Sequence, residues 1–335
     1  MNYDTQTNKT KNKEKNVMFR SFNQNRGFGI EIECSSTASR AEIAGLIKLA
    51  FSENNINSGC EVEMYGHTTR NYWKVTTDSS IHCSNGTNHT MEIVSPILYG
   101  TNGLKELKVV LDAINNKDVC TTKVNKSMGV HVHHDLTSWR NSNRSTFANN
   151  MNNLVSLIAK YEHCLFKLLP PSRQGIWCSP VREFMLNYRT NSVCAYTDRI
   201  KTLKKIHKEG HLGSFQRNPR GSGDRYCGLN FINLFGRGSV EFRYHQGSTN
   251  YDKLSNWIVF TQAFIETAEL KKSISYTDAM TRTSVASALR RLRCDLGLTK
   301  ADNDVYLQTC DEEMKRRYHL YKTNNVTNHF VTLAR

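Results

Sequence analysis

No apolar run in this sequence approaches the roughly 20 residues that a membrane-spanning helix needs, so no such helix is expected. Met1 to Asn16 is polar and rich in Lys and Asn, and it lacks the apolar stretch of a secretory signal. None of the 10 cysteines falls in a CxxC pair, which argues against a structural zinc ribbon. Without an export signal, these thiols are expected to stay reduced in a cytoplasmic protein. No GxGxxG turn links a strand to a helix, no Walker-type phosphate loop occurs, and no internal repeat is evident.

What is present fits one large α+β domain or two small ones. The chain has 335 residues, of which 38% are hydrophobic, enough to bury a real core. Its formal net charge is +15. A basic excess favours polyanions such as nucleic acid, ATP or acidic substrates. Part of it sits in Lys9, Lys11, Lys13 and Lys15, and part on a helix face at Lys201, Lys204, Lys205 and Lys208. A solvated face is the simpler reading of those lysines, so a nucleic-acid partner is left open and not required.

Residues 1–24 read by composition as a disordered polar leader. Alternation from Gly27 to Ser35 predicts a strand. Ser39, with Glu42 at the capping-box position, predicts a helix start. Further strands are expected at Glu61–Tyr65, Tyr72–Thr77, Thr90–Ser95, Met128–Leu136, Tyr226–Asn233 and Ser239–His245. Helical spacing marks Leu104–Ile114, Asn149–Leu169, Tyr251–Leu270, Ser284–Asp295 and Asp304–Tyr321. Residues 172–190 resist placement, and the Gly/Arg/Ser-rich stretch 209–224 reads as an exposed loop. This mixed order argues for α+β with a largely antiparallel sheet rather than a doubly wound parallel one. Residues 273–335 are expected to form a C-terminal helical extension.

Three strands carry an unusual alternation. In Gly29-Ile30-Glu31-Ile32-Glu33 both carboxylates share one face. In Gly129-Val130-His131-Val132-His133 both imidazoles do, and in Val240-Glu241-Phe242-Arg243-Tyr244 the Glu pairs with the Arg. Met91-Glu92-Ile93-Val94-Ser95-Pro96 adds one carboxylate between apolar neighbours. A wet sheet face gives polar/apolar alternation by default, so each segment alone is weak. Together they are not ordinary, because such a face normally draws on Lys, Thr, Ser and Gln as well. Glu carboxylates with imidazoles suit Mg2+ or Mn2+ holding phosphate oxygens. An Arg beside them suits phosphate through paired hydrogen bonds. Glu61-Val62-Glu63 shows the same alternation and reads as a solvated strand face.

The ordered set resembles the amidoligases, distant relatives of glutamine synthetase and γ-glutamylcysteine ligase. Further matches are Trp73 with Asp78-Ser79-Ser80, Arg225-Tyr226 with Gly228-Leu229-Asn230, and His245 with Gly247 before Trp257. The likeness runs from about Gly27 to about Leu270, within an expected catalytic domain of residues 25–272. It implies a glutamine-synthetase-like fold: a curved, mostly antiparallel sheet with helices packed on its outer face. It also implies an ATP-dependent ligase, which activates a carboxylate as an acyl phosphate for attack by an amine.

Roles follow from the resemblance, position by position. Glu31 and Glu33 would ligate two different ions, and Glu92 would join one of them. His131 and Glu241 would hold the ion nearer the nucleotide phosphates. Arg243 would neutralise the transferring phosphoryl group, with Arg225 a weaker candidate. His133 reads as a phosphate contact, a ligand or a hydrogen-bond support. Asp78 reads as an amine receptor or a turn residue, and Trp73 as core. Asn230 and His245 divide evenly between substrate contact and structural hydrogen bond. A third carboxylate for the first ion has no clear match. The competing readings are a metal-dependent hydrolase or nuclease on the same cluster, and a basic nucleic-acid-binding protein without catalysis. The substrate classes stay open: a small molecule, a peptide or a protein side chain on either side.

Overall fold

The alternation seen in the sequence becomes a sheet whose two faces differ sharply. The computed structural model describes residues 21–173, 178–181, 194–212, 226–276, 284–301 and 304–322. At the sheet's centre lies β1 (Gly27–Ser36). It pairs antiparallel with β4 (His89–Val94) on one side and β7 (Gly129–Asp135) on the other. Beyond β4 come β3 (Trp73–Thr76) and β2 (Cys60–Val62), and beyond β7 come β9 (Ser239–Gln246) and β8 (Leu229–Asn230). Two short strands, β5 (Leu98–Tyr99) and β6 (Thr122–Lys123), pair with the ends of β1. Among the described strand pairs only β2–β3 is parallel. The expected mixed α+β class with a mostly antiparallel sheet therefore holds.

Ile30, Ile32, Val75, Ile93, Val130, Val132 and Phe242 point to one face and are fully buried beneath helices. The helices are α1 (Arg40–Glu53), α2 (Gly100–Ile114), α3 (Thr137–Arg140), α4 (Arg144–Leu165), α5 (Tyr196–Glu209), α6 (Tyr251–Leu270), α7 (Val285–Asp295) and α8 (Val305–Tyr321). Ser39 and Glu42 close the expected capping box at the start of α1. α4 begins earlier than the apolar spacing indicates, because Asn143 accepts hydrogen bonds from the Ser145 and Thr146 amides. It also stops at Leu165, followed by a 3-10 turn at Phe166–Leu168 rather than a helix to Leu169.

The C-terminal helices share the core instead of standing apart from it. Leu307, Cys310 and Met314 of α8 are buried with Trp257 and Phe260 of α6. Phe22 is buried too, and its amide donates to Asp304, so residues 21–24 are tied to the start of α8. The rest of the expected leader lies outside the described residues, as does 213–224 of the expected exposed loop. Trp73 is core, as anticipated, with its indole N–H donating to Glu106. The cysteines are free thiols. Among the described residues no helix is long and apolar enough to cross a membrane.

Candidate metal centre and active site

The second face of the sheet forms the floor of an open cavity of about 970 Å³. Cross-strand register brings the polar residues together there. Glu31 stands opposite His131, Glu33 opposite Glu92, and His133 opposite Glu241. Because directly opposed side chains share a face, three antiparallel pairings gather four distant segments. Ser95 helps to fix this register: its hydroxyl accepts from the Ile30 amide and donates to the Pro96 carbonyl.

Two triads result. Ligand atoms of Glu31, His131 and Glu241 lie within 4.8 Å of one another, and so do those of Glu33, Glu92 and His131. His131 turns Nδ1 to the first, 3.0 Å from Glu31 and 3.5 Å from Glu241. It turns Nε2 to the second, 3.8 Å from Glu33. His133 Nε2 lies 3.1 Å from Glu31, at ion-pair distance but poorly aligned for a hydrogen bond. Asn230 donates to Glu241 at 2.7 Å, and the Arg243 guanidinium pairs with the same carboxylate.

The charges are not balanced evenly. Burial pushes Glu92 well above the usual carboxylate range, and Glu31, Glu33 and Asp78 add to that, with Lys74 offsetting part. Burial raises Glu33 as well, against His131 and the Gly129 amide. At Glu31 burial opposes ionisation, yet His133 and His131 hold it well below the ordinary value. Glu241 is likewise lowered against its burial, by Arg243 and then the two imidazoles. Burial disfavours the charged form of His133, but Glu31 and Glu241 outweigh it and raise its pKa. The Glu33/Glu92 end is thus short of positive charge and the Glu31/Glu241 end is not.

This donor set fits a hard divalent cation. It offers carboxylate oxygens and one imidazole, in the crowded arrangement that a bound cation relieves. Three buried polar atoms at or beside it have no hydrogen-bond partner: His133 Nε2, Thr76 Oγ1, whose residue is opposite Glu92, and Arg243 Nε.

Most anticipated residues line this cavity: Glu31, Glu33, Asp78, Glu92, His131, His133, Asn230, Glu241 and Arg243. Asp78 lines the cavity and accepts from the Ser80 amide in a turn. Arg225 lies outside the described residues. His245 is not in the cavity. Simple alternation puts it beside Glu241 and Arg243, but β9 has two residues, Arg243 and Tyr244, opposite the single His131 of β7. That bulge sends His245 to the helix face, where it is fully buried, stacks on Trp257 and accepts from Arg317. Of the two roles the sequence left open for it, substrate contact and structural hydrogen bond, the second is the one formed.

Sequence reasoning missed Lys74 and Arg173, and quoted Tyr226 as a motif match without giving it a role. Lys74 lines the cavity and donates to the Gly66 and Thr68 carbonyls, tethering the overhanging segment between β2 and β3. The Tyr226 ring lies under the Arg243 guanidinium, with 5.9 Å between the guanidinium carbon and the ring centroid. Arg173 falls in the stretch that pattern reading does not place.

Fold and site together define a mixed α+β protein with an acidic and imidazole-bearing candidate metal centre in an open cavity. The chain belongs to the amidoligase family: the family described as "Putative amidoligase enzyme" matches residues 24–265, more than two thirds of its length. That membership supports an amide-bond-forming ligase. No curated protein sequence matches the chain. Among solved structures, a bifunctional glutathione synthetase from Pasteurella multocida aligns with 89% of this chain at 11% identity and a TM-score of 0.37. The chain spans about half the length of that protein, 47% of it, and so loose a likeness carries no argument about activity.

Proposed function

We propose that the protein is an ATP-dependent carboxylate–amine ligase that forms an amide or isopeptide bond through an acyl phosphate, on a glutamine-synthetase-like catalytic fold. The observation that carries this reading is the pair of triads, Glu31/His131/Glu241 and Glu33/Glu92/His131, on one cavity floor with Arg243. A hydrolase needs the metal cluster but gives no reason for an arginine beside it with an unpartnered, buried Nε.

In this reading Glu31, His131 and Glu241 hold one Mg2+ or Mn2+, and Glu33 and Glu92 hold another. Bound there, the ions supply charge neutralisation for ATP phosphates. Arg243 is aimed by Glu241 and Tyr226, so its guanidinium meets the transferring phosphoryl group with little reorganisation. Asn230 holds Glu241 in its rotamer. A carboxylate oxygen of one substrate attacks the γ-phosphorus and ADP leaves. The amine nitrogen of the second substrate then attacks the acyl carbon, phosphate leaves, and the nitrogen gives up its proton. Asp78, facing the same cavity, suits the incoming ammonium as a counter-ion. The partners are therefore ATP, a carboxylate and an amine.

The test is ADP release measured across pairs of carboxylates and amines with Mg2+ or Mn2+. The reading expects release that depends on both substrates and is abolished in Glu31→Ala, Glu241→Ala and Arg243→Ala variants that remain folded. Metal-dependent hydrolysis of an ester or a nucleic acid without ATP is the outcome that replaces it.

A further inference from the structure

The bulge in β9 decides which side chains face the cavity, so whatever holds the bulge sets the site. A two-against-one bulge leaves backbone groups without a ladder partner, and a buried unpaired carbonyl is costly. Here those groups are met by one side chain. Arg173 follows α4 in a short 3-10 turn, Pro171–Arg173, and is only 6% exposed. Its Nη2 donates to the Arg243 carbonyl at 2.7 Å and its Nε to the Tyr244 carbonyl at 3.4 Å. These are the two residues that β9 sets against the single His131 of β7.

We infer that Arg173 is the positioning residue of this site: its guanidinium clamps the β9 bulge, fixing the backbone of Arg243 where it faces the cavity and turning His245 out of it. A fork with several fixed donors can span two successive carbonyls, and a lysine ammonium cannot reproduce its planar geometry. The register on either side agrees. Tyr244 and His245 follow one another yet both face the helices, Tyr244 donating to Glu162 of α4 and His245 stacking on Trp257 of α6.

Gly129 is the matching concession on β7. A Cβ there would lie 3.2 Å from Arg173 Nη2, 3.3 Å from Nη1 and 3.2 Å from His131 Nε2. The bare glycine lets the guanidinium lie beside the strand, close to the metal triads. Its amide meanwhile donates to Glu33 at 2.5 Å. The glycine of the Gly-Val-His-Val-His strand is thus explained by a side chain far away in the sequence.

The backbone claim stands on the fold alone, whereas its consequence for nucleotide binding rests on the ligase reading. The experiment separates the two. Arg173→Met, Arg173→Lys and Gly129→Ala are compared with wild type in three measurements: hydrogen exchange of the 243–246 amides, Mn2+ affinity without nucleotide, and ATP affinity with Mn2+. In Arg173→Met the expected exchange at 243–246 rises at least tenfold, while amides of β1 and β4 are unchanged. ATP binding weakens at least tenfold. Mn2+ binds as in wild type or more tightly, because a neighbouring positive charge is gone. Arg173→Lys recovers part of the ATP affinity. Gly129→Ala, which displaces the guanidinium without removing it, repeats the rise in exchange at 243–246 and stands in for that measurement alone if Arg173→Met does not fold, because the same methyl also crowds His131. Wild-type exchange at 243–246 in a folded Arg173→Met protein overturns the inference, as does a parallel loss of Mn2+ and ATP binding. If wild type binds Mn2+ but no ATP, the ligase reading fails and the exchange data still decide the role of Arg173.

Discussion

Replacing Glu92 with Gln should make the metal-free protein more stable and the metal-bound protein relatively less so. Glu92 is 8% exposed and stands directly opposite Glu33 across β1 and β4. Like charges in that relation destabilise by about 0.2–1 kcal/mol. The amide keeps the shape and removes the repulsion, so Tm without metal should rise by about 1–3 °C. The pH dependence has a definite sign. A carboxyl whose folded pKa is raised binds its proton more tightly in the native state, so its penalty grows as pH rises above the ordinary carboxylate range. The gain from Glu92→Gln is therefore larger at pH 8 than at pH 5.

Metal reverses the order. Mn2+ at 100 times its dissociation constant adds about 2.7 kcal/mol to wild type. A tenfold weaker site, at the same concentration, gains only about 1.4 kcal/mol. Thermal melts of both proteins with and without Mn2+ read the two effects directly. A variant that is less stable without metal, and equally stabilised by Mn2+, would refute the reasoning that Glu92 is held for a cation.

Other expectations follow from the same contacts. Arg243→Met strands Glu241 without its main counter-charge, and breaking one side of a buried pair costs about 3–5 kcal/mol, readable in denaturant melts; Arg243→Lys should restore most of that stability and little ATP affinity. Gly228→Ala drives a methyl into the Tyr244 ring, and overpacking of that kind costs about 1–3 kcal/mol in a urea melt. Far from the site, Asp311 is buried against its charge but held below its ordinary pKa by Arg293 and Lys315. Asp311→Asn should lose about 1.5–3 kcal/mol at pH 7. The lowered pKa means that this contribution fades as pH falls below about 3.9, so acid melts of variant and wild type should converge there.

Much of this site was legible before any coordinates. Glu31, Glu33, His131, His133 and Glu241 lie on regular antiparallel strands, where period-2 alternation settles the face, and Arg243, the first residue of the bulge, still follows it. Glu92 was legible because Pro96 marks the end of its strand. Alternation fails where the backbone departs from it. His245 could not be settled between two roles because its face depends on one bulge, which no residue in β9 announces, since its clamp, Arg173, lies in an irregular turn. The expected strand Tyr226–Asn233 shrinks to Leu229–Asn230. Asn230 turns its side chain back to accept from the Ile232 amide, which ends the pairing. The helix boundaries of α4 slipped at both ends for related reasons, a polar first turn set by Asn143 and a tightening to 3-10 geometry after Leu165. The C-terminal helices were found where their apolar spacing put them, but spacing alone does not tell what they cover. Arg317, reaching from α8 to His245, shows that they complete the core behind the site.

The most direct measurement is anomalous diffraction from crystals grown with Mn2+ and a non-hydrolysable ATP analogue. The account predicts two manganese peaks, one among Glu31, His131 and Glu241 and one at Glu33 and Glu92, with the terminal phosphate facing Arg243. A cavity floor free of manganese, or a nucleotide seated away from Arg243, would contradict it.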